Sequence, residues 1–307
     1  MKLSRLPALF MAGLLAACGG GNGSNPTVSP PLNLAQEAGA PAFTGNTALD
    51  GFNWINYRRI QAGLPKLTEN SLIDAAAQGH SNYQKINNTI THDEISSNSG
   101  FTGAQLVDRL NAAGYLLKGE YAAGEVIAAA TDTSGFVLSE QLITAIYHRF
   151  VIFEPAFKEI GTGAATIAGG YTYFTADFAA NNGYGPGLRR GNIVVYPVDK
   201  QTRVATSFST NQETPDPVAN QDLTGYPISV HANISAILNV STFTVRPHGG
   251  SDLTVKMLIS AQDPETPVSA AAIIPLAVLA ASTTYDVAFS GSVDGVPVTR
   301  SWSFTTQ

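Results

Sequence analysis

The sequence predicts an α+β domain followed by a small all-β domain. Between residues 46 and 150, apolar residues recur at helical spacing. Residues 159–178 then alternate with the period of two that is typical of strands. After residue 227, short strand-like segments recur at intervals of roughly 10 to 20 residues with turn residues between them. Because helices come first and an antiparallel strand pair closes the first domain, we expect helices layered on a sheet.

The N-terminal region predicts export and membrane attachment. An apolar stretch too short to cross a bilayer ends at Leu15–Ala17, a small-residue cleavage pattern. Cys18, the single cysteine, follows, and the string LAAC resembles a bacterial lipobox. That resemblance implies a signal peptide over 1–17, a lipid on Cys18 and a flexible tether over 18–45. The following Gly19 favours the outer membrane; the alternative is an ordinary signal peptide with an incidental cysteine.

The composition argues against nucleic acid as a partner. The formal net charge is −6 and only 13% of the residues are charged, whereas phosphate binding needs a clustered basic face. The chain also lacks G-x-S-x-G, G-x-x-x-x-G-K-[ST] and C-x-x-C motifs. These patterns leave the oligomeric state open.

Four helices are predicted in the first domain. The first ends at Gly63, and Asn70 caps the second. Thr102 and Gln105 form a capping box for the third, and the fourth covers about 135–150.

Two strands should follow these helices. In the segment GTGAATIAGG, glycine allows a strand to pack closely on a helix. Asp177 falls at an outward position of the second strand, where we expect it to be solvated.

The remaining chain predicts a linker and a β-sandwich. Residues 181–226 are dense in Gly, Pro and Asn and favour a linker. Residues 227–307 resemble bacterial Ig-like domains, which implies a spacer or adhesive module with Trp302 and Phe304 on its core face. The apolar run 270–281 holds a proline and is interpreted as a buried strand with its approach loop.

Seven phrases in order carry a further resemblance over about residues 48–179. They are similar to the bacterial branch of the CAP superfamily of cysteine-rich secretory proteins, antigen 5 and pathogenesis-related proteins. This resemblance implies a three-layer α-β-α sandwich over 46–180. The phrases are NWINYRRIQAGLPKL, AAAQGHSNY, THDE, VDRLNAAGY, GEVIA, IYHRFVIFEPAFKEIGTG and YTYFTADFA.

The CAP resemblance also implies a cleft lined by His92, Glu125 and His148. Two imidazoles and a carboxylate are ligands that Zn²⁺ accepts, so a divalent cation such as Zn²⁺ or Mg²⁺ is a possible cofactor. The chain departs from the family pattern at Val126, where an amide is expected, and at the second acid found in eukaryotic relatives, for which Glu140 is an uncertain substitute.

Other polar residues are expected to be structural. His80 lies on the inner face of the second helix and should pack beneath the cleft. Arg149 should pair with a carboxylate or a backbone carbonyl. His231 and His248 have no partner that the sequence identifies.

Two functions remain open. The CAP resemblance implies a non-catalytic binding module in the envelope for a lipid, small molecule or protein. The alternative is a metal-dependent hydrolase in which Glu125 is a ligand or a general base. Enzymatic activity is the less favoured reading.

Overall fold

The computed structural model describes residues 37–307. The predicted signal peptide, the predicted lipidation site Cys18 and most of the predicted tether lie outside this range. Within it, none of the helices combines the length and the apolarity that crossing a bilayer requires.

The first unit is a four-stranded sheet between two groups of helices. The strand order is β1-β3-β4-β2, in which only the β1–β3 pair is parallel. The elements are α1 (Thr47–Gln61), β1 (Thr68–Glu69), α2 (Ser71–Asn87), α3 (Leu106–Ala112), β2 (Ala122–Ala130), α4 (Gly135–Thr144), α5 (Ile146–Ile152), β3 (Glu159–Thr166) and β4 (Thr172–Ala180).

Strand β4 shows that helices cover both faces of the sheet. Phe174, Ala176 and Phe178 pack into one hydrophobic cluster with side chains of α1 and α4. Ala179, on the opposite face, packs with side chains of α2 and α3. Every residue of β4 is therefore buried, and the mixed α+β class is confirmed.

The helix starts follow local sequence signals in part. Asn70 caps α2 as predicted, because its side chain accepts from the amide of Leu72. The predicted box between Thr102 and Gln105 is wrong. Gln105 itself is the N-cap of α3 and forms a capping box with Asp108. Thr102 instead donates to the buried carboxylate of Glu94 through its amide and its hydroxyl.

The predicted single helix over 135–150 is also wrong. It breaks at Ala145, whose ψ of 119° is extended, and α5 starts at the next residue. The carboxylate of Glu213 accepts from the amides of Ile146, Tyr147 and His148 at 2.9, 2.7 and 3.2 Å. A side chain from distant sequence thus satisfies the first turn of α5, which its own N-cap residue, an alanine, cannot do.

Helix α2 lies unusually close to β3. A Cβ atom on Gly161 would stand 2.2 Å from the amide nitrogen of Asp74, and one on Gly163 would stand 2.3 Å from that of Gln78. The interpretation of glycine as a contact residue between strand and helix is confirmed. The expected solvation of Asp177 is wrong, since α2 covers its face of the sheet and leaves the side chain fully buried.

The second unit contains two four-stranded sheets. Their strand orders are β10-β13-β14-β6 and β11-β12-β9-β5, with a separate hairpin of β7 and β8. The strands are β5 (Val194–Tyr196), β6 (Gln201–Val204), β7 (Ser207–Ser209), β8 (Leu223–Gly225), β9 (Ile228–His231), β10 (Leu238–Pro247), β11 (Val255–Ile259), β12 (Ala270–Pro275), β13 (Thr284–Val293) and β14 (Val296–Thr306).

The segment 181–226, predicted as a linker, is instead part of this β-rich unit. Strand β5 pairs with β9, and β6 pairs with β14, so each sheet takes an edge strand from the segment. The many turn residues of this segment correctly indicated its loops, but they gave no signal for the short strands between the loops. The apolar segment starting at Ala270 forms the buried strand β12, as predicted.

Arg149 ties the two units together. Its guanidinium donates to the carbonyls of Ile143 at 2.5 Å and Pro227 at 2.7 Å, one from each unit. It lies against the rings of Tyr196 and Tyr226, with its central carbon 5.0 and 4.9 Å from their centroids. The expectation of a carbonyl partner for Arg149 is confirmed, and one hydrophobic cluster runs through both units.

Another contact between the units predicts a pH effect. His231 of β9 is packed edge-on against Phe150 and Phe153 and shares a 2.9 Å hydrogen bond between its Nε2 and the hydroxyl of Ser229. Burial, with the nearby cations Arg149 and Arg59, lowers the pKa of His231 from 6.5 to about 3. The folded state therefore binds this proton less readily than the unfolded state does.

His231 should contribute stability above pH 6.5 that is lost as the pH falls towards 3. The loss can reach about 1.4 kcal/mol per pH unit. We expect the urea-unfolding free energy of the native protein to fall between pH 7 and pH 5 by about 2 kcal/mol more than that of His231→Gln. His248→Gln, at an exposed site, should follow the native protein. Parallel losses in the native protein and His231→Gln would contradict the assignment.

Candidate functional site

His92 and Glu125 come together at one end of the first unit. His92 lies in the loop after α2, Glu125 on β2 and Arg109 on α3. The Nδ1 of His92 is 2.8 Å from one oxygen of Glu125, and Arg109 donates to the other oxygen at 2.6 Å. Arg109 also donates to the backbone carbonyl of His92 at 2.8 Å. One carboxylate and one guanidinium thus fix the imidazole from two sides; we call these three residues the His92 cluster.

The pKa values of two neighbouring acids, Glu125 of the His92 cluster and Asp177, are shifted in opposite directions. Burial by itself would raise the pKa of Glu125, but Arg109, His80 and His92 outweigh it and hold that pKa well below its usual range. Asp177 is the direct cross-strand neighbour of Glu125. Burial and the negative charge of Glu125 raise the pKa of Asp177 well above its usual range. The charge of Glu125 thus favours the protonated form of its neighbour Asp177.

The ring of His92 presents one nitrogen that the protein does not use. Because a carboxylate oxygen accepts, Nδ1 carries a proton and donates it to Glu125, and in the neutral form of the ring Nε2 keeps a lone pair. This Nε2 is buried and has no hydrogen-bond partner among residues 37–307. The residue as a whole is 9% exposed, so this nitrogen is shielded from bulk water.

His148 is positioned differently from the expectation. It lies in the first turn of α5, is fully buried, and contacts Glu213 through Nδ1 at 3.0 Å. The expectation that its face turns to an open polar cleft is wrong, because the hairpin β7–β8 and its connection cover this end of α5. Its hydrogen bonds, within the described chain, do not include His92 or Glu125.

Two further residues are structural. His80 uses both ring nitrogens inside the protein, at 2.8 Å from Glu94 and 2.8 Å from the carbonyl of Thr91. Glu140 accepts from the indole of Trp54 at 2.6 Å and from Arg58 at 2.8 Å. It packs among the helices and does not replace the missing second acid.

The predicted metal set does not fit this arrangement. Within residues 37–307, no group of three or more His, Cys, Asp or Glu side chains is placed to hold a metal ion. Both oxygens of Glu125 are already occupied by His92 and Arg109, and His148 is held by its own carboxylate. His92, Glu125 and His148 are therefore not arranged as one set of metal ligands.

The sequence patterns missed Arg109, Asp177 and Glu213. Arg109 had a usable signal, since it falls on the inner stripe of α3 beside the buried Leu110. Asp177 had none, because alternation along a strand does not tell whether its second face is covered. Glu213 lies in the segment taken for a linker.

A separate groove of about 440 Å³ lies on the second unit. It is lined by polar side chains of β10, β13 and β14 that include Arg246, Asp286 and Ser303. His248 contacts Asp286 beside it at 3.0 Å. The groove and the His92 cluster belong to different units, so variants can tell them apart.

Comparisons with known proteins give matches to the first unit. Residues 52–178 match the family model described as "CAP: Cysteine-rich secretory protein family". An extracellular protein containing an SCP domain from Bacillus anthracis is 26% identical, with a TM-score of 0.37, over 43% of this chain and 39% of that one. A cysteine-rich secretory protein from Staphylococcus aureus is 17% identical, with a TM-score of 0.30, over 44% of this chain and 38% of that one.

Another similar structure is an outer surface protein of Borrelia burgdorferi. It is 14% identical, with a TM-score of 0.36, over 43% of this chain and 90% of that one. The match thus spans well under half of the Bacillus and Staphylococcus chains. No curated protein matches this chain.

Proposed function

We propose, from the premise that residues 52–178 form a CAP domain, that this protein is an exported, envelope-tethered binding protein. Its CAP domain takes a lipid or another small molecule at the His92 cluster and does not transform it. The tether is the chain up to residue 45, attached through a lipid on Cys18.

The free Nε2 of His92 is the observation that carries this proposal. A buried polar atom without a partner is uncommon in a folded protein, because its desolvation costs about 1–3 kcal/mol. Glu125 and Arg109 hold the ring so that this lone pair has one direction. An unprotonated ring nitrogen accepts a hydrogen bond, so the matching ligand group is a hydroxyl or an N–H donor.

The same geometry argues against catalysis. A general base near neutral pH needs a pKa close to 7, whereas Arg109 and its neighbours keep the pKa of Glu125 well below its usual range. No described Ser, Thr or Cys side chain hydrogen-bonds to His92, so the ring has no nucleophile to activate. The hydrolase alternative would further need a metal for which the side chains are not arranged.

The binding proposal is tested by the compounds that copurify with the protein. The full chain is extracted from the envelope in mild detergent, and released small molecules are quantified by mass spectrometry. His92→Ala should retain at least about fivefold less of the bound compound, since losing one hydrogen bond at a buried site costs about 1–3 kcal/mol. His248→Ala, at an exposed histidine beside the groove, should retain as much as the native protein.

Three outcomes would overturn binding at the His92 cluster. The first is equal retention in His92→Ala and the native protein. The second is loss in Asp286→Ala, which would place the ligand in the groove of the second unit. The third is metal-dependent turnover of a peptide or ester that Glu125→Gln abolishes.

The tether is tested separately. Cys18→Ser removes the only thiol, so we expect the protein to move from the membrane pellet to the soluble fraction. Two or three acyl chains anchor a protein durably, at about 0.8 kcal/mol per buried methylene. Ser24→Ala, in the same predicted tether, is the matched control and should stay in the pellet. Retention of Cys18→Ser in the pellet would exclude a lipid anchor at this position.

A further inference from the structure

The connection between β7 and β8 carries a carboxylate into the first unit. Two hydrogen bonds fix the hairpin. The amide of Thr210 donates to the backbone carbonyl of Asp222 at 3.0 Å, and its hydroxyl donates to the backbone carbonyl of Gln221 at 2.7 Å. Phe208 of β7 is buried in a cluster with residues of α5, among them Ile146 and Tyr147. The segment that bears Glu213 is therefore packed in place.

Among the described residues, the carboxylate of Glu213 makes four hydrogen-bond contacts, all with the start of α5. It accepts three backbone amides there and contacts the Nδ1 of His148 at 3.0 Å. The residue is 1% exposed and His148 is 0% exposed. Backbone amides can only donate, so the carboxylate of Glu213 is the acceptor in these three bonds, and in the fourth contact it accepts the proton of Nδ1.

The two imidazoles of the predicted site are consequently held in the same way. His92 contacts a carboxylate through Nδ1 at 2.8 Å, and His148 does so at 3.0 Å. In each ring the Nε2 is buried and has no hydrogen-bond partner among the described residues. The difference lies in origin, since Glu125 belongs to the CAP domain and Glu213 to the β-rich unit.

We infer that Glu213 is a positioning residue, supplied by the β-rich unit, that fixes the ring of His148 with Nδ1 protonated and Nε2 presented as a hydrogen-bond acceptor. The β-rich unit then sets the tautomer of a buried histidine of the first unit and is more than a spacer. A ligand group that meets this nitrogen must be a hydroxyl or N–H donor, as at His92. The inference deepens the proposed function and rests on it for the role of the ring, whereas the state of the ring can be measured without ligand.

The test is ¹⁵N NMR of the histidine ring nitrogens in the full, ligand-free chain. In the native protein, His148 should show a protonated Nδ1 and an unprotonated Nε2. In Glu213→Gln the side chain keeps its shape and an acceptor for the helix amides but loses the charge. A hydrogen bond to a charged group contributes about 1.5–3 kcal/mol, so the ratio of the two tautomers of His148 should fall by at least about tenfold.

The matched control is the same substitution at the other carboxylate. Glu125→Gln should change the ring signals of His92 and leave those of His148 in place, and Glu213→Gln should do the reverse. A merely structural role of Glu213 would lower stability without this selective change. Unchanged His148 signals in folded Glu213→Gln would overturn the inference.

A second variant covers the case in which Glu213→Gln fails to fold. Glu213→Asp keeps a negative charge near the helix start but withdraws the carboxylate from the ring by one methylene, so the same change at His148 is expected. Native-like His148 signals in Glu213→Asp would overturn the inference too. Failure of His92→Ala to lose a copurifying compound would refute the binding proposal and leave these ring measurements intact.

Discussion

Replacing Arg149 with methionine should lower the free energy of unfolding by about 3 kcal/mol or more. The guanidinium is fully buried and serves the carbonyls of Ile143, Thr144 and Pro227. Methionine fills a similar volume but donates nothing, so these carbonyls lose their donor inside the protein, at about 1–3 kcal/mol for each unsatisfied group. Urea unfolding followed by tryptophan fluorescence measures the change, since Trp54 lies in the first unit and Trp302 in the second.

Two companions of Arg149→Met separate hydrogen bonding from charge. Arg149→Lys keeps the positive charge but lacks the planar fork that reaches several carbonyls and stacks on rings, so we expect an intermediate loss. Arg300→Met, at an exposed position of β14, should stay within about 0.5 kcal/mol of the native protein. A loss below 1 kcal/mol in Arg149→Met would show that the contact between the units does not depend on this side chain.

Gly163→Ala should be nearly as damaging, for a steric reason. Its Cβ would stand 2.3 Å from the amide nitrogen and 2.4 Å from the Cα of Gln78, both backbone atoms of α2. Neither atom can turn aside as a side chain can, so the helix must shift from the sheet. Overpacking of this kind costs about 1–3 kcal/mol and occasionally more, and we place the expected loss at about 3 kcal/mol because the obstacle is backbone.

The control for Gly163→Ala is another glycine with the opposite property. Gly169 has a positive φ of 70° and open space around its Cβ position. Gly169→Ala should therefore cost only the strain of a left-handed residue, about 1–2 kcal/mol. Thermal unfolding of both variants decides the matter, and equal losses would mean that α2 and β3 can separate without cost.

Local signals in the sequence predicted the features that depend on neighbours along the chain. The end of α1 before Gly63 and the start of α2 at Asn70 were predicted because these residues satisfy or terminate a helix by themselves. The resemblance brought out His92 and Glu125, which the structure places in contact. These features do not depend on contacts with the second half of the chain.

The features that were missed depend on long-range contacts. The break at Ala145 exists because Glu213, 67 positions beyond Ile146, serves the amides of α5. Asp177 is buried because α2 crosses its face, which period-two alternation cannot reveal. Strands β5 and β6 are three and four residues long, too short to stand out among the turn residues around them.

The continuous hydrophobic contact between the units has a consequence for any cleavage between them. Side chains of α5 such as Tyr147 and Phe150 are covered by Leu258 and Ala272 of the second unit. A protease that cut the chain just after Ala180 and released the C-terminal piece would leave this apolar stripe facing water. The released N-terminal fragment should then self-associate, so this architecture does not favour separation of the first unit as an intact monomer.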